Sequence, residues 1–343
     1  MWSTLLAELD DRKNLSAENA QWAMREILEG RASADEIKSF LLGLKEKGES
    51  AAEVSALVDE MYRHSAPISI SKRAVDTVGT GGDGQHTINI STTAAIIAAA
   101  AGAVVVKHGN RAASSKSGAA DLLEALGVAI NLNGEQVAQS VDELGIGFCF
   151  APMFHPAMRH AAPARKELGV PTVFNILGPL ANPAKPAAAA IGVANKAMHK
   201  LMAQVLVDRG VDGFVFRGDD GLDEITLATS TDVLVLDKGQ ITEISVKPED
   251  FGIARAPISA IVGGDAAENA AITRVIFNGE KGAPRDAVVL NAGVAIAAFR
   301  GDASLSPHER IYAGVRSAVI AIDTGAANQL LERWVRLTQK LTS

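Results

Sequence analysis

Asp76-Thr77-Val78-Gly79-Thr80-Gly81-Gly82-Asp83-Gly84, with Asn89-Ile90-Ser91-Thr92 just behind it, is the stretch whose reading decides the fold. Two loops of the same character follow. Lys107-His108-Gly109-Asn110-Arg111 comes after the apolar Val104-Val105-Val106, and Ser114-Ser115-Lys116-Ser117-Gly118 comes after that. Each is rich in Gly, Ser, Thr or Asn and adjoins an apolar segment, which is how an α/β sheet presents backbone N–H groups to an anion. No Asp or Glu occurs from Gly84 to Ala120, whereas Lys107, Arg111 and Lys116 all do. The whole chain carries a formal charge of -7, so this positive island is not background composition. It reads as a phosphate site.

Gly79 to Gly84 also fits G-x-G-x-x-G, so a dinucleotide site has to be weighed. That motif opens directly into a helix, yet Gln85 to Asn89 intervene here. An acid about 20 residues on should hold a ribose hydroxyl, but that region ends in Lys107-His108. The dinucleotide reading is therefore weak. Asn89-Ile90-Ser91-Thr92 precedes an Ala-rich helical stretch and reads as its cap, a role compatible with binding phosphate at the helix start. The Ser91 hydroxyl could also ligate Mg²⁺.

Outward from this region, short β-branched runs at 103–106, 146–150, 188–193 and 213–216 read as strands. Helical patterns near 91–101, 119–126, 135–144 and 196–209 lie between them. That alternation predicts a largely parallel sheet with helices on its faces. Residues 155–168 read as a further helix, and Gly178-Pro179-Leu180-Ala181-Asn182-Pro183 as a loop or hinge. Hairpin strands follow around 233–236 and 241–246, then helices to the end.

The first 65 residues differ. Ser33-Ala34-Asp35-Glu36 and Ser50-Ala51-Ala52-Glu53 are capping boxes, each followed by an apolar stripe at helical spacing. A further helix spans from near Ser16 to Gly30. These predict a small helical bundle.

Asp219-Asp220-Gly221-Leu222-Asp223-Glu224 follows the run at 213–216. Asp-Asp-Gly is an ordinary turn, while adjacent carboxylates at a strand end suit Mg²⁺ on a phosphorylated ligand. Spacing alone leaves both readings open. Arg165 is a candidate carboxylate clamp, because guanidinium binds carboxylate bidentately. A solvated helix charge is the blander alternative.

Composition sets limits. Hydrophobic content of 48% with 21% charged residues excludes a disordered chain, and 343 residues suit one large or two unequal domains. The single cysteine, Cys149, cannot form an intrachain disulfide and reads as a buried thiol. The longest apolar run, near 94–106, is too short for a membrane span. Met1-Trp2 leads straight into a helical pattern without a signal peptide, so a cytoplasmic location is expected. Net negative charge argues against general nucleic-acid binding.

The motifs at 76–84, 89–92, 107–111 and 114–118 stand in order with Asp121-Leu122-Leu123-Glu124-Ala125-Leu126-Gly127 and the loop at 178–183. Beyond them come Asp220-Gly221-Leu222-Asp223-Glu224, the segment 263–270 and Leu290-Asn291-Ala292-Gly293. Together they resemble the anthranilate phosphoribosyltransferase family over essentially the whole chain. The resemblance implies an α/β fold of the nucleoside phosphorylase/phosphoribosyltransferase kind, with a small N-terminal helical domain and a large α/β domain with a mainly parallel sheet. The helical domain would be 1–70, joined by helices from about 155–185, and the α/β domain 71–343. It further implies a homodimer and transfer of phosphoribose from 5-phosphoribosyl 1-pyrophosphate to the amine of anthranilate, in tryptophan biosynthesis.

Carried over by position, Gly79, Asn110 and Arg165 would hold anthranilate. The phosphoribosyl donor would lie on Gly79, Gly82, Asp83, Thr87, Asn89, Ile90, Ser91 and Thr92. It would also touch Lys107, His108, Gly109, Asn110, Arg111, Ala112, Ala113, Ser114, Ser115 and Ala119. One or two Mg²⁺ ions would sit on Ser91, Asp223 and Glu224, and Lys107 with Mg²⁺ would stabilise the transition state, with no acid–base residue. Ala119 stands where the family often has Ser, which leaves only its backbone to donate. Ile88 replaces a commonly aromatic position. A pyrimidine nucleoside phosphorylase shares similar loops, but phosphorolysis has no need of the Asp223-Glu224 pair.

Overall fold

A computed structural model describes residues 1–112 and 115–342; Ala113 and Ser114, both expected in the donor loop, lie outside the described residues. Helices α1 (Trp2–Asp10), α2 (Ala17–Leu28), α3 (Ala34–Lys47) and α4 (Ala51–Arg63) form the N-terminal layer. Both capping boxes close as the sequence predicts, Ser33 with Glu36 and Ser50 with Glu53. Glu53 does more than cap. Its buried carboxylate also accepts Leu15 N at 2.8 Å and pairs with Lys47 at 2.8 Å, joining three segments of the bundle.

The chain then alternates β1 (Val75–Gly79), α5 (Ile90–Ala100), β2 (Val105–Gly109), α6 (Ala119–Leu126), α7 (Gly134–Leu144) and β3 (Ile146–Phe150). After α8 (Ala151–Phe154), a 3₁₀ turn at Pro156–His160, α9 (Ala162–Leu168) and α10 (Phe174–Leu180), it returns through β4 (Ala188–Gly192), α11 (Lys196–Asp208) and β5 (Asp212–Gly218). The hairpin β6 (Thr231–Asp237) and β7 (Gln240–Val246) precedes α12 (Ala266–Phe277), α13 (Ala283–Arg300), α14 (Pro307–Asp323) and α15 (Ala326–Leu341).

The sheet order is β3-β2-β1-β4-β5-β6-β7, parallel through β5 and antiparallel from there. Both faces are covered except at the edge strand β7, whose residues are mostly exposed, which is why the inner strands read as apolar runs without alternation. Ala188, Ala190, Phe214 and Phe216 pack with α5, α13 and α14 on one side. Ala189, Ile191 and Val215 pack on the other with α10, α11 and the N-terminal helices. Ala161, Ala164, Phe174 and Leu177 share that second core with Leu41 and Leu57. The result is a small N-terminal helical part beside a larger α/β part with a mostly parallel sheet. No helix among the described residues is long and apolar enough to cross a membrane.

Three local expectations change. The central strand β1 is absent from the strands expected from β-branched runs, because Asp76 interrupts five residues that end in glycine. Residues 155–168 are not one helix: Pro156 and Pro163 each start a new turn, and the 3₁₀ segment ends where α9 begins. Gly178-Pro179-Leu180 is the last turn of α10 rather than loop. Pro179 is tolerated there because it removes a single helical N–H close to the end.

Candidate functional site at the glycine-terminated strand ends

Strands β1, β2, β4 and β5 all end in glycine, at Gly79, Gly109, Gly192 and Gly218. The chain leaves β1 towards β2 and β3 on one side and returns through β4 on the other, so the strand order reverses between β1 and β4. Open α/β sheets bind ligands at such a switch point. Asp223 lies directly on it. A Cβ at Gly79 would overlap Asp223 Oδ2, and a Cβ at Gly192, the register partner of Gly79, would overlap the Asp223 carbonyl.

The carboxylates face the glycine turn. Asp223 Oδ2 accepts Gly81 N at 2.7 Å, and Glu224 Oε1 accepts Ser91 N at 3.1 Å at the start of α5. Lys107 is buried on β2; its Nζ donates to the Thr77 carbonyl and to Ser91 Oγ, the latter at 3.3 Å. The acidic loop is held by Asn291 of α13, whose amide accepts Ile225 N at 2.9 Å and donates to Ile225 O at 3.0 Å. Burial, and then the charge of Asp83, hold the Asp223 carboxyl above the usual range. Burial and the neighbouring Asp223 do the same to Glu224. Burial lowers Lys107, against the pull of Asp76, Glu224 and Asp223.

This donor set fits Mg²⁺. Two buried carboxylates and a hydroxyl are hard oxygen ligands, and Mg²⁺ is commonly held by one or two carboxylates plus substrate phosphates. Their charge is under-compensated, since Lys107 is the one buried cation against Asp223, Glu224 and Asp76 among the described residues. No group of three or more His, Cys, Asp or Glu gathers around a metal-sized site among the described residues. Two carboxylates alone suit a cation only if a ligand supplies the rest of its oxygens.

Other candidates are placed differently. Asn89 makes no side-chain cap on α5. Its Nδ2 donates to Ser117 O at 3.0 Å, and its Oδ1 accepts Ser117 Oγ at 2.9 Å and Asn269 Nδ2 at 2.8 Å. Side chains of Ile90 and Thr92 are buried, so only their backbone remains for a ligand. Thr87 pairs with Val262 in an isolated antiparallel bridge, and Gly82 is exposed in the turn. Asp83 accepts Gln85 N at 3.1 Å. Asn110 is exposed and accepts Arg111 N at 2.8 Å.

The positive island is partly neutralised. Arg111 pairs with Asp121 at 2.9 Å and Glu124 at 2.5 Å, with its guanidinium 5.5 Å from the centre of the Phe150 ring. Asp121 also accepts Ala112 N and Gly118 N, each at 2.9 Å, which ties those two residues to α6. Ala119 opens α6 against Gly109, and Ser115 Oγ donates to Ser117 O at 3.2 Å. Arg165 is half-buried on α9, 5.8 Å over the Phe174 ring, and burial lowers its pKa. No ion pair or side-chain hydrogen bond joins it to the glycine turn among the described residues.

His108 follows Lys107 on β2 and points to the opposite face. Its Nδ1 lies 2.9 Å from Gly178 O and its ring 5.2 Å from that of His155. A carbonyl only accepts, so Nδ1 carries the proton, and the buried Nε2 has no hydrogen-bond partner in the structure. Burial, and then the neighbouring His155, push the His108 pKa down to about 3. The folded state thus holds His108 neutral, and the stability this gives is full above the ordinary histidine pKa and lost as pH falls. At pH 4.5 the loss from His108 is about 3 kcal/mol. Thermal unfolding between pH 7.5 and 4.5 should show it, and a His108→Asn variant should flatten that slope; an unchanged slope would refute the assignment.

A cleft of about 690 Å³, lined by Tyr62, Asp76, Asn182, Lys185 and Arg209, opens elsewhere. Its lining includes Ala187, Gly210 and Val211, which precede β4 and β5, so it lies at the other end of the sheet from Asp223 and Glu224. It holds none of the expected substrate residues.

Comparison with known proteins agrees with this architecture. Residues 71–328 match the α/β domain of a glycosyl transferase family, and residues 3–65 match the helical bundle domain of that family. The chain is 50% identical over 342 residues to an anthranilate phosphoribosyltransferase of Rhodococcus jostii, covering 100% of this chain and 94% of the relative. It is 52% identical over 339 residues to one of a Nocardioides species, covering 99% of each. Among solved structures it is similar to the anthranilate phosphoribosyltransferase of Thermus thermophilus, with 41% identity, a TM-score of 0.91, and 98% and 99% of the two chains covered. The Saccharomyces cerevisiae enzyme in complex with PRPP and Mg superposes with a TM-score of 0.88 at 28% identity, covering 98% of both.

Proposed function

This chain belongs to the anthranilate phosphoribosyltransferase family, and we propose that the site between β1 and β4 is where it works. The enzyme transfers the 5-phosphoribosyl group from 5-phosphoribosyl 1-pyrophosphate to the amine of anthranilate, releasing pyrophosphate, in tryptophan biosynthesis. The observation that carries the placement is the convergence of Asp223 and Glu224 on Gly81 N and Ser91 N, with Lys107 beside them.

Ser91, Asp223 and Glu224 would hold Mg²⁺, one ion or two, and bound there it supplies positive charge against the leaving pyrophosphate. The chain's own part is to hold donor and acceptor and to balance charge. Loss of pyrophosphate leaves an oxocarbenium-like sugar and a polyanion, so fixed positive charge at the leaving group is the main requirement. Lys107 provides it with little reorganisation, because burial and its two oxygen acceptors fix its ammonium. Glycine-turn amides and the Lys107–Ser115 loop hold the phosphates. Gly81 N and Ser91 N are occupied by carboxylates here, so those two are drawn towards the cation side of the site.

An arylamine is already unprotonated at neutral pH, so attack needs alignment more than a base, and alignment is worth several kcal/mol. Asn110 and Arg165 are assigned to orienting anthranilate with Gly79. Arg165→Ala should raise the anthranilate KM about tenfold or more, the scale of a lost charged hydrogen bond, and leave the donor KM nearly unchanged. Equal rises in both would refute the role.

The same reading takes 1–70, joined by helices from 155–185, as a domain that closes on 71–343 and excludes water from the sugar. It also takes the protein as a cytoplasmic homodimer, which light scattering on the eluting protein tests. The decisive assay mixes protein, anthranilate, phosphoribosyl pyrophosphate and Mg²⁺ and follows anthranilate fluorescence. Decay abolished by EDTA supports the reading, and an unchanged signal overturns it.

A further inference from the structure

Between α12 and the glycine turn, polar contacts converge on one side chain. Asn269 is 2% exposed. Its Oδ1 accepts Gly264 N at 2.8 Å and its Nδ2 donates to Asn89 Oδ1 at 2.8 Å. The segment before it pairs with the turn's exit: Ile88 N donates to Ile261 O at 3.0 Å and Gly263 N to His86 O at 2.9 Å. A Cβ at Gly263 would come within 2.6 Å of Asn269 Oδ1 and 2.9 Å of the Ile88 backbone, so glycine is what lets the amide sit there.

We propose that Asn269 is a positioning residue for the phosphoribosyl donor. It fixes the amide of Asn89, and through it the glycine turn, the start of α5 and the Ser117 loop relative to one another. The inference rests on the site assignment above.

The polarity of the relay follows from its first member. A backbone N–H only donates, so Asn269 Oδ1 must face Gly264 N and Nδ2 must face Asn89. Asn89 therefore presents Oδ1 to Asn269, where it also accepts Ser117 Oγ. Both lone pairs of that oxygen are then used. One N–H of Asn89 Nδ2 goes to Ser117 O. The second has no protein acceptor among the described residues and is left for an oxygen of the donor. Were the Asn89 amide turned over, it would present an oxygen there instead and repel a phosphate.

Asn269→Asp tests this because it keeps the size and the acceptor for Gly264 N, but sets a carboxylate oxygen against Asn89 Oδ1. Asn89 must then turn. Thr273→Val is the control: Thr273 sits one turn further along α12, and its hydroxyl lies 3.1 Å from that of Thr93 on α5. It breaks a contact between the same two helices without touching Asn89. The expected result for Asn269→Asp is a donor KM raised about tenfold or more, the scale of a lost buried hydrogen bond, with the anthranilate KM within about twofold. Calorimetric affinity for Mg²⁺-pyrophosphate should weaken in parallel, while Thr273→Val changes neither.

Equal rises in both KM values, an unchanged donor KM, or the same donor defect in Thr273→Val would overturn the proposal. Should Asn269→Asp fail to fold, Asn269→Ser carries the test, with the same outcomes read. Wild-type protein that leaves anthranilate untouched would sink the site assignment instead, which keeps the two failures apart.

Discussion

Asp223→Asn combined with Glu224→Gln should lower kcat/KM roughly 10²–10³-fold, the scale of removing a preorganised electrostatic group, without lowering the metal-free melting temperature. The two halves of that expectation have one cause. Each carboxylate is 8% exposed, close to its neighbour and to Asp83, and burial holds both pKa values up. Charge in that position is costly to the metal-free fold, so neutral isosteres relieve it. At the same stroke they remove the hard oxygen charge that the proposed cation would need. Wild-type protein should gain melting temperature when Mg²⁺ and pyrophosphate are added together, because a ligand of the folded state stabilises by mass action. The double variant should not. Retained turnover, or a Mg²⁺-dependent shift that survives in the variant, would count against a cation on these residues.

Gly79→Ala and Gly192→Ala should separate function from folding at neighbouring positions. The two glycines are register partners on β1 and β4, and both press on Asp223. At Gly79 a methyl would meet the Asp223 carboxylate, which can swing away but then leaves Gly81 N and the proposed cation site. Activity should fall about 100-fold or more, as for a lost electrostatic group, with melting temperature changed by only a few degrees. At Gly192 the methyl would meet the backbone carbonyl of Asp223, with Phe216 close behind. Backbone there cannot move without shifting the β5–β6 connection, so the cost should be about 3 kcal/mol or more, at the upper end for overpacking. Circular dichroism melts and steady-state kinetics on both variants decide it. A Gly79→Ala enzyme with normal kinetics would show that Asp223 need not stand where it does.

What could be read from the sequence was what is local. The capping boxes need only residues three apart, and they close as read. Runs such as Ile146–Phe150 announce a strand because both faces of the sheet are covered. Asn89 shows the limit of local reading: it stands at the start of α5 as read, but its side chain does not cap, because its amide is claimed by Ser117 and Asn269, 28 and 180 residues away. Arg111 shows a boundary effect. The acid-free window ends at Ala120, and the partners that neutralise it, Asp121 and Glu124, begin just beyond. Asn291 and Asn269 lie in segments that carry the family resemblance, but nothing in their spacing announced a role beyond that of asparagines inside helices, where that residue is a mediocre former and needs a reason to be.

Cys149 sits on β3 and is 0% exposed. Burial raises its thiol pKa well above the ordinary value, and Asp76 adds to the effect. Since the chain has no other sulfhydryl, alkylation kinetics offer a clock for opening of the parallel core: the native enzyme should resist iodoacetamide for as long as β3 stays covered. Saturating donor and Mg²⁺ should slow that clock further only if the labelling route passes through global unfolding rather than local fraying.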